Sequence, residues 1–388
     1  MKADAAVTYL DYQATTPVDP RVVAAMLPWF SERYGNPHSS GHAFGQDAAA
    51  AVEAARDDVA ALIGAESREI VFTSGATESN NLAIKGGVRF LARHFPERPR
   101  RLLTVATEHK CVLETCRDLA GEGAAVEILP VGADGLIDLT LLEERLAGGV
   151  DLVSVMAVNN EIGVVQDLAA IGTLCRRHGA LFHTDAAQGF GKIPIDVEEM
   201  KIDLLSISGH KIYAPKGTGA LYVRRRPRAR LEPLFSGGGQ ERGLRSGTLS
   251  PALCVALGTA AGLAGPEMPA EQSRLAALSA QFLARLCGAV GGVTVHGHLQ
   301  RRIPGNLNLS FDGVQALDLM AALPGIALAT GSACSSAIVE PSYVLAALGL
   351  PREVAEGAIR IGFGRFTTEG EMTSAADSLA DAVRHLRS

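Results

Sequence analysis

Four stretches of this 388-residue chain carry residue types that could do chemistry together. Ser206–Lys211 reads as the end of an apolar strand, a Ser/Gly/His turn and a lysine. Burying a charged amine is costly, so a lysine there suits a desolvated, less basic amine able to form a Schiff base. Taken alone, it reads better as a surface lysine at a strand end. Asp185 closes another predicted strand, with Gln188 three residues on. α/β sheets present ligand-binding groups at the carboxyl ends of their strands, and a carboxylate there could keep a pyridine nitrogen protonated. An ordinary helix N-cap uses the same residue. Thr73–Ser79 passes from a strand through a Gly turn into a helix, where free N–H groups and the helix dipole favour a phosphate. Ser74, Thr77 and Glu78 also make a simple capping arrangement. Cys334 stands in Ala329–Ala337, too small and polar to pack as helix or strand. A mobile surface loop is expected there, and a thiol in it is a better nucleophile than a core cysteine.

These stretches need a frame. From about 45 to 223 the pattern alternates strand and helix. Helices are expected at His42–Gly64, Thr77–His94, Cys111–Gly121, Asp138–Leu146 and Asp167–His178. Buried strands are expected at Glu69–Thr73, Leu102–Ala106, Ala125–Leu129, Leu152–Val158, Ala180–Thr184, Leu204–Ile207 and Ala220–Val223. Apolar strands in βα units imply a mostly parallel sheet covered on both faces. After the connector Phe235–Ser250, two helices are expected, Pro251–Ala264 and about Pro269–Val290. Strands at Asn306–Phe311 and Ile359–Phe363 and a helix from Thr367/Thr368 then read as a smaller α+β domain.

In this order, a lysine, a strand-end acid and a phosphate turn fit a pyridoxal 5'-phosphate (PLP) enzyme of fold type I. Further motifs make the comparison specific: Tyr9–Pro17, Tyr34–Pro37 with His42, Thr73–Asn81, Thr107–Lys110, Val158–Gly163, Ser208–Gly217, Arg245–Thr248, Gly331–Ser336 and Gly364–Thr368. With these the chain resembles the class V aminotransferase group and, more closely, the cysteine desulfurases of iron–sulfur cluster assembly. The resemblance implies a large α/β domain with a mostly parallel seven-stranded sheet over 18–255. A small α+β domain of 1–17 with 256–388 would carry the Cys loop at about 330–340.

It further implies that Lys211 bonds the cofactor, Asp185 pairs with its ring nitrogen and Gln188 with its ring hydroxyl. His109 would stack on the ring and handle protons near the substrate thiol. Ala76, Thr77, Ser208 and His210 would hold the phosphate, and Thr248 would reach the phosphate of a neighbouring subunit in a homodimer. Arg360, with Asn36 and Asn160, would bind the carboxylate of L-cysteine, Asn160 also facing the cofactor. Cys334 would take the sulfur as a persulfide and pass it to an iron–sulfur scaffold or other acceptor protein, leaving L-alanine. Family members with a housekeeping role usually carry a further C-terminal tail, so the end at Ser388 leaves open which acceptor is served. Another class V PLP enzyme (an aminotransferase or selenocysteine lyase) is the alternative reaction. A catalytically silent scaffold fits poorly with intact Lys211, Asp185 and Cys334.

Composition narrows the rest. The net charge of −6 argues against general nucleic-acid binding. The basic run Arg224–Arg230 reads as a solvated turn, with a docking patch for an acidic protein as the sharper alternative. No signal core or membrane-length apolar segment is evident, and six scattered Cys make no disulfide framework, so a cytoplasmic protein with reduced thiols is expected. Cys111, Cys116, Cys175, Cys254 and Cys287 fall in predicted helices as mostly buried thiols. The Gly-rich loop Ser236–Gly243 reads as a subunit-interface turn, and His296 with His298 as exposed residues rather than a metal site.

Overall fold

The computed structural model describes residues 7–330 and 342–388. Its central sheet has seven strands: β1 (Ile70–Thr73), β2 (Arg101–Val105), β3 (Ala125–Leu129), β4 (Leu152–Ser154), β5 (Leu181–Asp185), β6 (Leu204–Ser208) and β7 (Gly219–Val223), in spatial order β1-β7-β6-β5-β4-β2-β3. All neighbours are parallel except β7, which runs against both β6 and β1. Two reversals return β1 to the common direction. The carboxyl ends of β1, β2, β4, β5 and β6 therefore share one edge, where ligand groups gather in such sheets. The strands read as apolar runs because helices cover both faces.

The helices include α1 (Ala43–Ala61), α2 (Ala76–His94), α3 (Lys110–Gly121), α4 (Leu139–Ala147) and α5 (Leu168–His178). The two helices expected after residue 250 are instead one, α6 (Pro251–Ala289), running 39 residues through Pro266 and Pro269. It packs on α1 and, farther along, on the last helix, α7 (Glu369–Leu386). Packing along its length outweighs the two proline interruptions, each of which removes one N–H donor. A capping box from Thr368 and Glu371 opens α7, as its sequence suggests. A second, antiparallel sheet joins β8 (Val293–Val295), β9 (Asn306–Phe311) and β10 (Ile359–Gly362). Two apolar clusters cover the two faces of the large sheet, one with α1, α4, α5 and α6 and the other with α2 and α3, and a further one gathers Leu10, the second half of α6 and the β9, β10 and α7 faces.

Several expectations change. Arg224 is buried at 1% exposure, its guanidinium donating to the Val197 carbonyl, so only the rest of the basic run is a solvated turn. Cys287 is exposed, and Cys111 is half-buried at the border of an apolar cluster. His296 is buried against the Ser310 hydroxyl at 2.9 Å. Among the described residues no cluster of His, Cys, Asp and Glu could hold a metal, and no helix is long and apolar enough to cross a membrane.

The Ser236–Gly243 turn contributes structure. Glu241 makes a two-pronged bond to the Arg56 guanidinium at 2.7 and 2.8 Å and accepts the Phe72 N–H at 2.7 Å, all buried. Glu241→Ala leaves the buried Arg56 with only the exposed Glu53 carboxylate as counter-charge. It is expected to lower unfolding free energy by about 3–5 kcal/mol in urea titrations.

Candidate active site

The sheet edge opens into a cleft of about 460 Å³. Each side arrives on a strand end. Asp185 is the last residue of β5, and its oxygens accept from Asn80 Nδ2 at 2.7 Å and from the Ala187 N–H at 2.8 Å. Only 3% exposed, it has a neutral donor on each oxygen. Ser208 ends β6, and a single 3₁₀ turn, Gly209–Lys211, lifts Lys211 into the cleft. The Lys211 Nζ donates to the carbonyls of Gln13 and Ala14, the latter at 2.7 Å. Residues 13–16 are thereby laid along the cleft wall, and the Thr16 N–H donates to the His210 carbonyl at 3.0 Å.

β1 leads through Gly75 into α2. Gly75 has φ 145° and ψ −178°, a region open to glycine and strained for other residues. A Cβ on Gly219 would fall 2.6 Å from the Gly75 Cα and 2.4 Å from the Ile207 carbonyl oxygen, so β7 and the turn close together only without one. No side chain caps α2 at Gly75, which leaves its first turn, with Ala76 and Thr77, facing the cleft. Ser208 and His210 line the same end. Burial, and then the charges of Lys211, Lys216 and Lys192, push His210 down to about 4, so it is neutral.

After β2, His109 caps α3 and accepts the Cys111 N–H at its Nδ1, 3.2 Å away. Nδ1 being the acceptor, the neutral ring carries its proton on Nε2. Burial lowers His109 from its ordinary value; Asp185 pulls it back up, while Lys211 and Lys110 push it further down. Cys111 is not a core thiol: it faces the cleft within 3.0 Å of the His109 Nδ1 and 3.1 Å of the Asn80 Nδ2, and burial pushes it up to about 12. At that value it is a protonated partner for its neighbours and not a nucleophile.

From β10, Arg360 reaches the cleft at 4% exposure, with Nη2 on Asp11 at 2.7 Å and Nη1 on the Asn160 carbonyl at 3.1 Å. Among the described residues its Nε and the Asn160 Oδ1 are buried without a hydrogen-bond partner. A buried guanidinium with an unused donor suits a carboxylate.

Of the residues singled out in the sequence, Ala76, Thr77, His109, Asn160, Asp185, Gln188, Ser208, His210, Lys211 and Arg360 meet in this cleft. Asn36 and Thr248 are exposed and do not line it, and Cys334 lies outside the described residues. The sequence reading passed over Asp11, Gln13, Asn80 and Lys192. The first three sit inside quoted motifs, where their presence was the only signal.

The residues fit PLP. A buried anion, an amine, an uncapped helix start and a guanidinium with a spare donor surround one space, each matching a different part of that molecule and an amino-acid substrate. Residues 8–374 match the aminotransferase class V family. The chain belongs to the class V aminotransferases. Among its relatives within and around this family, cysteine desulfurase IscS of Rickettsia bellii is 54% identical over 379 residues, covering 98% of this chain and 92% of that protein. The same enzyme of Rickettsia felis is 53% identical over equal shares. Among solved structures, a NifS-like protein superposes with a TM-score of 0.89 at 35% identity, covering 98% of this chain and all of that one, 100%. SspA in complex with cysteine superposes at 0.82 with 38% identity, covering 93% and 100%. The fold expected of a class V aminotransferase, an α/β protein with a mostly parallel sheet, is the one observed.

Proposed function

We propose that the protein is a PLP-dependent cysteine desulfurase that converts L-cysteine to L-alanine and leaves the sulfur as a persulfide on Cys334. The observation that carries the reading is the convergence of Lys211, the buried Asp185 anion and Arg360 on one cleft, in a chain with cysteine desulfurases among its relatives. When bound, PLP supplies a positively charged ring that takes up electrons from the substrate's α-carbon. Asp185 would hold its ring nitrogen, Gln188 its ring oxygen, and Ala76, Thr77, Ser208 and His210 its phosphate, while Asn160 and His109 border it.

Arg360 orients the substrate carboxylate with its free donor, and the exposed Asn36 would join it from outside the single-chain cleft. Lys211 takes the proton from the α-carbon. His109, neutral with its proton on Nε2, exchanges a proton at the substrate sulfur. The Cys334 thiolate attacks that sulfur: an S–S bond forms, the Cβ–S bond breaks, and its electron pair stays with carbon, which gains a proton to become alanine. L-cysteine and the Cys334 thiol thus give L-alanine and a Cys334 persulfide, with no outside oxidant. The persulfide sulfur would pass to an iron–sulfur scaffold or another acceptor protein.

The working unit we infer is a homodimer. Thr248 is exposed and outside its own cleft, although Arg245 in the same motif binds Glu78 at the phosphate turn, Nε to Oε1 2.8 Å. Exposed Leu27, Phe30, Tyr34 and Phe44 supply an apolar face of the kind that partners cover. Within this reading the large domain is 18–255 and the small one 1–17 with 256–388.

Incubation with L-cysteine, with assays for alanine and for a persulfide on Cys334, tests the reaction. Cys334→Ala is expected to abolish persulfide formation while the purified protein keeps its PLP absorbance. Desulfuration at the parental rate by that variant would remove Cys334 from the mechanism, and an amino-group transfer product in place of alanine would favour an aminotransferase.

A further inference from the structure

A second, small cavity of about 40 Å³ lies behind the cleft wall and is lined by Lys192, Gln13, Tyr213 and Glu271. Gln13 borders both spaces, whereas Lys192 borders only the rear one. Lys192 follows Gln188 in the turn after β5, and its backbone is pinned: the N–H donates to the Gly189 carbonyl at 2.9 Å, and its carbonyl accepts from Gln272 Nε2 of α6 at 2.6 Å. From there its Nζ donates to Gln188 Oε1 at 2.9 Å. The other end of that carboxamide, Nε2, donates to the Gln13 carbonyl at 2.8 Å, the same oxygen that accepts from the Lys211 Nζ.

We propose that Lys192 is a positioning residue that fixes which end of the Gln188 carboxamide meets the cofactor. A carboxamide has two nearly equal orientations, and its partners choose between them. Flipping Gln188 would set its NH₂ against the Lys192 donor and its oxygen against the Gln13 carbonyl, losing both bonds. With Lys192 in place the donor end is held beside Lys211, and its second N–H remains for the ring oxygen. Lys192 itself touches neither cofactor nor substrate. The groups facing its Nζ are Lys211, which disfavours its charge, and Glu271, which favours it; burial is the largest influence and brings it down to about 7. As ammonium Lys192 can only donate and so selects Oε1; as the neutral amine it can also accept, and the Gln13 carbonyl then keeps the Nε2 end in place.

The inference rests on the PLP reading, and titration of the apoprotein with PLP, followed by absorbance, separates the two. Lys192→Met is expected to raise the Kd for PLP roughly threefold to tenfold, the factor carried by one net hydrogen bond. Lys192→Ala is measured beside it, so that a folding failure of one truncation leaves the comparison intact. Lys192→Arg, which keeps the donor, is expected to stay within about twofold of the parent on the same scale. In a Gln188→Ala background Lys192→Met should add nothing, and against a PLP analogue lacking the ring hydroxyl parent and variant should bind alike. A parental Kd for the Met and Ala variants, or an undiminished effect in the Gln188→Ala background, overturns the role of Lys192. Failure of the parent apoprotein to bind PLP overturns the cofactor reading instead.

Discussion

Replacing Lys211 with alanine is expected to lower alanine release from L-cysteine by about 10⁴-fold while the chain stays folded. The loss has two sources, the covalent hold on the cofactor and the base at the α-carbon, and both reside in one amine. The fold is expected to survive because the contacts given up, among them hydrogen bonds to the Gln13 and Ala14 carbonyls, lie on a cleft wall and not in the apolar core. Thermal unfolding of the variant should therefore stay close to the parent. Lys211→Arg sharpens the test. It keeps the positive charge and the donors to those carbonyls, but a guanidinium does not give up its proton near neutral pH and cannot act as the base. Equal inactivity of the Ala and Arg variants is the expected outcome. Substantial turnover by Lys211→Arg would mean that the lysine matters for its charge, and another residue would have to take the α-proton.

What the sequence disclosed, and what it withheld, follows from the range of the interactions involved. The inner strands of the large sheet were legible because burial on both faces turns them into apolar runs, as at Leu204–Ser208 and Gly219–Val223. Lys211, Asp185 and the Thr73–Ser79 turn were legible because each is a chemically unusual residue or glycine placed at a strand end, which is a local signal. Partners across the fold were not. Nothing near Asp185 in sequence indicates that Asn80, 105 residues away, supplies its donor, or that Asp11 pairs with Arg360 across 349 residues. The long helix α6 was divided because Pro266 and Pro269 look like a boundary, and the packing that carries the helix through them is tertiary. Arg224 misled in the opposite way. Its charged neighbours suggested solvent, yet it continues β7 into the interior, where the Val197 carbonyl receives it. Lys192 carries no local signal, because its role depends on which atom of Gln188 it meets.

Asp185→Asn is expected to reduce alanine release by about 10²-fold, since a carboxylate beside a protonated base moves its pKa by roughly 1–3 units and each unit is a factor of ten. The side chain is nearly the same size, but the exchange removes the charge and also spoils the hydrogen bonds. Both oxygens of Asp185 accept, one from Asn80 Nδ2 and one from the Ala187 N–H, so an asparagine NH₂ must face one of those donors. Asp185 also acts on His109, and the direction of that effect allows the two roles to be separated. Burial lowers the His109 pKa and Asp185 opposes it, so losing the carboxylate drives His109 further down. A histidine already below its ordinary value and pushed lower stays neutral at and above neutral pH in both proteins. The acidic limb of the pH–rate profile should therefore not move upward in Asp185→Asn, and the loss in rate should appear across the neutral range. An acidic limb displaced toward higher pH would contradict this assignment, because it would require a group that gains a proton when the anion is lost, opposite in sign to what Asp185 does to His109.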